Sequence, residues 1–172
     1  MRYYKLKQDR NLRNAISFEG FAGCPDNVFD KEIVKTFRRA TTLFVKGTSE
    51  SVYPDLVQSP LLLISEKLYK ILRFYDSDTI YKVVVLTNID LKRQEVYRLM
   101  VPETENYLSE KTVYLKNGII DKIVLKKELN PHRRIFYVTE GITHHLIVTE
   151  DVLESILSRD SVGIKYEEVE VE

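Results

Sequence analysis

The segment LIVTEDVLESIL, residues 146–157, and the segment LLISEKLYKIL, residues 62–72, have the same construction. Each runs through apolar residues to Thr149 or Ser65, continues with a glutamate and ends in Ile-Leu. Ser and Thr are favoured helix N-cap residues, and the helix dipole favours a negative charge in the first turn. The two segments therefore predict two places where a strand ends and a helix begins, with Ser65 and Thr149 as caps.

Both predicted helices have one apolar stripe at helical spacing, which is typical of a helix that packs on a core. The stripe residues are Leu68, Ile71, Leu72 and Tyr75 in the first helix, and Val152, Leu153, Ile156 and Leu157 in the second. Gly163 follows the second helix. The spacing from cap to final Leu is seven positions in the first copy and eight in the second, which argues against a recent duplication.

Strand-like segments surround the two helices. The sequence TIYKVVVLTN, residues 79–88, is apolar on both faces, which predicts a central strand. Asn117-Gly118 lies between two β-like runs and predicts a hairpin, and Glu140-Gly141 lies between two more. In GIKYEEVEVE, residues 163–172, the alternation slips at Glu167-Glu168, which predicts either a bulge or a fraying end. Further strands are predicted at residues 2–7, 41–47 and 94–102.

The pattern predicts roughly eight strands and two helices. Two helices are too few for a doubly wound sheet. We therefore expect an α+β fold, with a largely antiparallel or mixed sheet and two main helices packed on one side of it. The chain has 172 residues, with no low-complexity linker, and we expect residues 1–172 to form a single domain.

Composition restricts the class of protein. The 26 basic and 26 acidic residues give no net charge, which weighs against general nucleic-acid binding. Cys24 is the one cysteine, so no internal disulfide is possible. The first residues, MRYYKLKQDRNLRN, do not resemble a secretory signal, and no run reaches the roughly 20 apolar residues of a membrane-spanning helix. The expected location is cytoplasmic.

The histidines do not form a metal-binding pattern. His144 and His145 are adjacent, so on a strand they point to opposite faces. His132 follows Pro131, and no spacing such as H-x-H or H-E-x-x-H occurs. We expect His144 and His145 to be surface or edge residues. We assign no metal, cofactor or catalytic residue.

Two other features are open to a functional interpretation. Cys24, in GFAGCPDN, could act as a nucleophile with a distant histidine, but no signature of a catalytic cysteine surrounds it, and a structural or incidental role is favoured. The sequence KTFRRATTLFVKG, residues 35–47, is the nearest approach to a basic-aromatic nucleic-acid patch. A solvated helix face beside core aromatics is the favoured reading. Its relevant residues are Lys35, Phe37, Arg38, Arg39, Phe44 and Lys46.

The C-terminal YEEVEVE carries four glutamates that could face a basic partner. They could also be a charged edge that prevents unwanted strand pairing, which is the favoured interpretation. The four are Glu167, Glu168, Glu170 and Glu172.

Three segments, in order, resemble a family of bacterial immunity proteins from polymorphic-toxin systems, first described as a domain of unknown function and typified by a myxobacterial member. The family has an I-S-E-x-L-x-x-x-L segment, then an I-V-L … I-F pair of strands, then a V-S/T-E/D … L … G-x-x-F/Y unit. The likeness covers residues 59–171. The matching residues here are Ile64, Ser65, Glu66 and Leu68; Ile123, Val124, Leu125, Ile135 and Phe136; and Val148, Thr149, Glu150, Gly163 and Tyr166.

The resemblance implies a cytoplasmic antidote that binds a cognate toxin domain and blocks its active site or its folding. Binding would be stoichiometric, without catalysis or cofactor, and would depend on a few central contact residues. Immunity interfaces differ between relatives, so the contact residues need not lie in the matching motifs. The alternatives from the residues alone are a small enzyme or a nucleic-acid-binding module.

Overall fold

The computed structural model describes residues 1–20, 40–59, 61–141 and 143–172, which form thirteen strands and two short helices. Strand accounts for 46% and helix for 10%, so the expected α+β fold with two main helices on a sheet is wrong, and the fold is β-rich. The helices are α1 (Glu66–Leu72) and α2 (Glu150–Leu157). The strands are β1 (Tyr3–Gln8), β2 (Ser17–Phe18), β3 (Ala40–Lys46), β4 (Leu56–Val57), β5 (Leu63–Ser65), β6 (Ile80–Asn88), β7 (Arg93–Val101), β8 (Val113–Tyr114), β9 (Ile120–Lys122), β10 (Val124–Leu125), β11 (Ile135–Glu140), β12 (Thr143–Thr149) and β13 (Ile164–Val171).

The first sheet has five strands in the order β10-β13-β1-β12-β11. Strand β1 is central and pairs antiparallel with both neighbours, so that Leu6 lies opposite Leu146 on one side and Tyr166 on the other. Strands β11 and β12 are the two strands predicted around Glu140-Gly141, and they form a hairpin in which Gly141 has a φ of +55°. Strand β10 adds a short parallel pairing at the end of β13.

The second sheet has six strands in the order β2-β3-β6-β7-β5-β4. Strand β6 lies between β3 and β7, which confirms the central position predicted for residues 79–88. Its two faces are covered unequally, since Val84 and Leu86 are buried whereas Val83 and Val85 are only half-buried. Strand β3 pairs with β6 in parallel, while β6 and β7 pair antiparallel along their whole length.

The main core lies between the two sheets and contains both helices. Because both sheets contribute to this core, the helices do not pack on one side of a single sheet as expected. No helix in the described ranges is long and apolar enough to cross a membrane. The core residues from the sheets are Tyr4, Leu6, Leu56, Ile64, Met100, Ile135, Tyr137, Leu146 and Val148, and those from the helices are Leu68, Ile71, Leu72, Val152, Leu153 and Ile156.

Each sheet also buries its opposite face, because strand residues alternate between faces. On the five-stranded sheet, Tyr3, Phe136 and Ile147 lie in a second core under the segment that contains β9 and β10. On the six-stranded sheet, Val57 and Leu99 lie in a third core. These two outer cores explain why several strands are apolar at successive positions.

The two repeated segments do form strand-to-helix transitions, but they are capped differently. Ser65 accepts a hydrogen bond from the Leu68 backbone N–H, as predicted for an N-cap. Thr149 occupies the N-cap position with extended backbone but makes no side-chain cap bond. Its hydroxyl donates to Asp151 Oδ1 at 2.5 Å, so the prediction that Thr149 caps the second helix through its side chain is wrong.

Strand β13 has neither the bulge nor the frayed end that its sequence predicted. It pairs with β1 in unbroken register from Ile164 to Val169. Ile164 packs against the main core, and the Tyr166 ring meets that of Tyr4 at 6.1 Å between centroids. Val169 lies in the outer core instead. The alternation slips because the strand changes the core that it contacts, while its backbone stays regular.

Candidate functional site

His144 and His145 lie on opposite faces of β12, as their adjacency on a strand predicts. The His144 ring lies 5.3 Å from the Tyr137 ring, measured between centroids, on the side of the main core. His145 is 8% exposed and lies on the other face, near Lys5 and Lys7. The expectation that both are surface or edge residues is wrong, because β12 is an inner strand and its face is covered.

His145 belongs to a polar group on three neighbouring strands. Burial, followed by the charges of Lys5 and Lys7, lowers the pKa of His145 to about 4, although Glu167 opposes them. Its Nε2 atom is buried and has no hydrogen-bond partner in the described part of the chain. Because this pKa lies far below 7, the imidazole of His145 is neutral near neutral pH.

The lysines of this group are held by a single carboxylate. Lys5 lies 3.5 Å from Glu167, and Lys7 also contacts Glu167. Burial lowers the pKa of Lys5 and the charge of Lys7 lowers it further, while Glu167 raises it. Burial alone raises the pKa of Glu167, but the hydrogen bond from Lys7 and both lysine charges lower it overall. This network is satisfied internally.

A second polar group surrounds Arg133, next to the exposed His132 in a cavity of about 190 Å³. The Arg133 guanidinium contacts Asp76 at 3.3 Å, Asp78 at 3.0 Å and Glu105 at 2.9 Å. Burial lowers the pKa of Arg133, but these carboxylates raise it overall. The arginine therefore joins three loops as a structural contact. No cluster of three or more potential metal ligands occurs among the described residues.

Two sequence-based hypotheses fall mainly outside the described residues. Cys24 and the basic residues 35–39 cannot be placed, so those hypotheses stay predictions. Of the remaining residues in that segment, Lys46 pairs with Glu19 at 2.9 Å, and Phe44 is exposed.

Three of the four C-terminal glutamates pair with lysines of the same chain. Glu167 contacts Lys5 and Lys7, as described above. Glu170 lies 2.7 Å from Lys122, and Glu172 lies 2.9 Å from Lys111. Strand β10 pairs with β13 at Glu170 and Val171, so Glu170 lies inside the sheet and not on the charged edge that the sequence suggested. Glu170 and Glu172 thus attach the end of the chain to the segment before β10, whereas Glu167 pairs with β1.

An exposed apolar surface lies on the β8–β9 hairpin. Its members are Val113, Tyr114, Leu115 and Ile119, each 45–54% exposed, and we call them the hairpin patch. Gly118, with a φ of +79°, forms the turn predicted at Asn117-Gly118. The backbone N–H of Leu115 donates to the Ile119 carbonyl at 2.8 Å, which holds these two patch residues side by side.

Buried residues next to the patch fix the hairpin to the protein. Ile120 and Ile123 both enter the outer core of the five-stranded sheet. Lysines 111, 116 and 122 belong to the same segment. Lys122 also lines a neighbouring surface groove of about 520 Å³, with Met1, Arg2 and residues 168–171. Several exposed apolar side chains on one hairpin make it a candidate protein-binding surface.

The sequence contains a signal for this patch. In TVYLKNGIIDK, residues 112–122, the apolar residues occupy successive positions on both sides of the turn. A hairpin with one buried face needs apolar residues at alternate positions only. Three successive apolar residues, 113–115, therefore leave at least one side chain without a core to enter, whichever face is buried.

Comparison with known proteins identifies no family. The chain matches no protein-family model and no curated protein. The resemblance in residues 59–171 therefore rests on the quoted motifs alone.

Proposed function

We propose that this protein is an immunity-type binding protein that neutralises a cognate bacterial toxin domain in the cytoplasm by stoichiometric binding, without catalysis. The resemblance supplies the class of protein, through the order of three segments. The hairpin patch is the observation that carries the proposal, because a binding protein needs an exposed surface that a partner can cover.

Apart from the exposed Tyr166, the apolar residues of the resemblance cannot form the contact surface. Ile64, Leu68, Ile135 and Val148 are completely buried in the main core. Such residues specify the fold, and relatives with different partners can share them. Specificity between toxins requires contact residues that differ, and these must lie on the surface.

The hairpin patch has the composition of an interface centre. Tyr114 is of a residue type enriched among residues that dominate binding energy, and Leu115 and Ile119 add apolar area beside it. Lys111 and Lys122 pair with Glu172 and Glu170 of the same chain, so the patch favours a partner whose centre is apolar. A toxin surface of this kind would bury the patch and exclude water from it.

The experiment is co-expression with the toxin encoded by the neighbouring gene. Cells that produce the toxin should survive with this chain and die without it, and a 1:1 complex should be recovered. Equal death in both cases would rule out neutralisation for that pair.

Two matched variants test the surface. Ile119→Glu places a charge in the patch and should weaken toxin binding by about 30-fold or more, since central contacts contribute about 2 kcal/mol or more. Ile89→Glu is the control, because Ile89 is also an exposed isoleucine, at 65%, but lies in the β6–β7 turn. Binding is measured by calorimetry and survival in culture. Equal affinity of both variants would show that the toxin binds elsewhere.

A further inference from the structure

Within the described part of the chain, strand β13 has no pairing partner on one side along its first five residues. It pairs with β1 throughout, but β10 covers its other side only at Glu170 and Val171. In residues 1–20, 40–59, 61–141 and 143–172, no strand pairs with the side of β13 between Ile164 and Glu168 that faces away from β1. We call this side the open edge. Lys165, Tyr166, Glu167 and Glu168 along it are exposed.

The hydrogen bonds on β13 identify the backbone groups at the open edge. The Asp9 N–H donates to the Gly163 carbonyl, so Gly163 points towards β1, and by alternation so do residues 165 and 167. The Glu172 N–H donates to the Leu125 carbonyl of β10, on the opposite side. The N–H and C=O groups of Ile164, Tyr166 and Glu168 therefore point out of the sheet at the open edge.

We propose that the open edge pairs with the open edge of a second copy of this chain, antiparallel and centred on Tyr166. In this register Tyr166 lies opposite Tyr166 of the other copy, and Ile164 lies opposite Glu168. These three residues carry the free backbone groups, so they form hydrogen-bonded pairs in the two-fold arrangement. The two five-stranded sheets become one continuous sheet.

Charge complementarity is the reason for choosing a second copy. In the order Lys165-Tyr166-Glu167, the two residues beside Tyr166 carry opposite charges. A two-fold axis at Tyr166 therefore places Lys165 of each copy opposite Glu167 of the other. Opposite charges directly across a strand pair are stabilising, and like charges are destabilising. Any other register of two open edges loses these pairs. Both side chains also have partners in their own chain, Asp9 for Lys165 and Lys5 and Lys7 for Glu167.

The limits of the open edge match the length of the proposed pairing. Gly163, with a φ of +78°, begins the strand in a turn, and β10 occupies the pairing line from Glu170. Between them, residues 164–168 are the segment that pairs with itself. Exposed apolar side chains accompany it, since Leu157, Val162 and Tyr166 are 38–49% exposed. An open strand edge of this kind is prone to pair with another chain.

The first test measures mass against concentration by sedimentation, for the full chain and for Tyr166→Pro. Proline removes the outward N–H of Tyr166 and leaves the bonds to β1 in place, which edge strands tolerate. We expect the wild-type chain to form dimers and Tyr166→Pro to raise the dimer Kd about tenfold or more, because two edge hydrogen bonds are lost. Glu168→Pro serves if Tyr166→Pro does not fold. A wild-type chain that is monomeric at every soluble concentration overturns the proposal.

The second test is specific for the register and uses chains in which Cys24 is replaced by Ser. The Lys165→Cys and Glu167→Cys variants are prepared separately. Each is oxidised alone, and a mixture of the two is oxidised as the third sample. Residues 165 and 167 lie opposite each other as a non-hydrogen-bonded pair, with Cα atoms about 4.5 Å apart, within disulfide range. We expect a covalent dimer in the mixture and none with either variant alone. Equal cross-linking in all three samples, or in none, overturns the proposed register.

Discussion

At the scale of single residues, His145 shows how burial determines the charge of a side chain. Its position on an inner strand removes it from water, and a buried imidazole favours its neutral form. Lys5 and Lys7 act in the same direction, because another positive charge beside them is unfavourable. The sequence predicted the opposite faces of His144 and His145 from period two alone. It could not predict the burial of either ring, because burial depends on which strands lie on each side of β12.

The lowered pKa of His145 predicts a loss of stability in acid. Its folded pKa is about 4, below the ordinary value of 6.5, so the unfolded chain takes up the proton first as the pH falls. Stability is therefore full above about pH 6.5 and decreases towards about pH 4, by about 3 kcal/mol. His145→Gln should remove this contribution in urea unfolding measured across that range. His132→Gln, at an exposed position, should retain it. A wild-type slope in His145→Gln would assign the effect to other groups.

At the scale of elements, the sequence patterns located the strand-to-helix transitions but did not predict the relative amounts of helix and strand. The two Ser/Thr-Glu segments predicted the starts of α1 and α2, because capping is local chemistry. The expected fold class was wrong because a stripe of three or four apolar residues indicates a helix but not what share of the fold that helix makes up. Both helices have only about two turns and lie inside a core formed mainly by strands. Strands β2, β4, β8 and β10 have two residues each, which is too short for a period-two pattern to appear.

The two caps should differ in their contribution to stability. Ser65 accepts the Leu68 N–H and donates to Asp55 at 2.5 Å, whereas Thr149 only donates to Asp151. Ser65→Ala should cost about 1–2 kcal/mol, as expected for loss of an N-cap. Thr149→Val keeps the side-chain volume, loses one polar contact and should cost less than about 1 kcal/mol. Urea unfolding of the two variants gives the comparison. An equal or larger cost for Thr149→Val would mean that its bond to Asp151 holds the helix start.

At the scale of the whole molecule, the turn before β13 is where the two sheets are tied together. The Asp55 N–H donates to the Val162 carbonyl at 2.8 Å, and Asp55 Oδ2 accepts from the Val162 N–H at 2.7 Å. Asp55 is buried and also contacts Ser65 and Lys67, at the start of α1. The first strand-to-helix transition and the turn that follows α2 thus meet beside one carboxylate that precedes β4. The sequence predicted Gly163 as a residue beyond the second helix, but this long-range contact with residues 54–55 has no local pattern.

Among the turn glycines, Gly163 should tolerate replacement least, because it packs against a segment that is distant in the sequence. Gly163 and Gly118 have nearly identical φ angles, +78° and +79°, so alanine costs about 1–2 kcal/mol of backbone strain at either position. At Gly118 an added Cβ meets nothing within 4 Å, whereas at Gly163 it would lie 2.6 Å from Pro54 Cβ. Gly163→Ala should therefore be less stable than Gly118→Ala by about 1–3 kcal/mol, because Pro54 and β13 must separate. Thermal and urea unfolding of both variants measure the difference. Equal losses would show that the segment before β4 moves away from β13 at little cost, and that the Asp55–Val162 bonds alone hold the sheets together there.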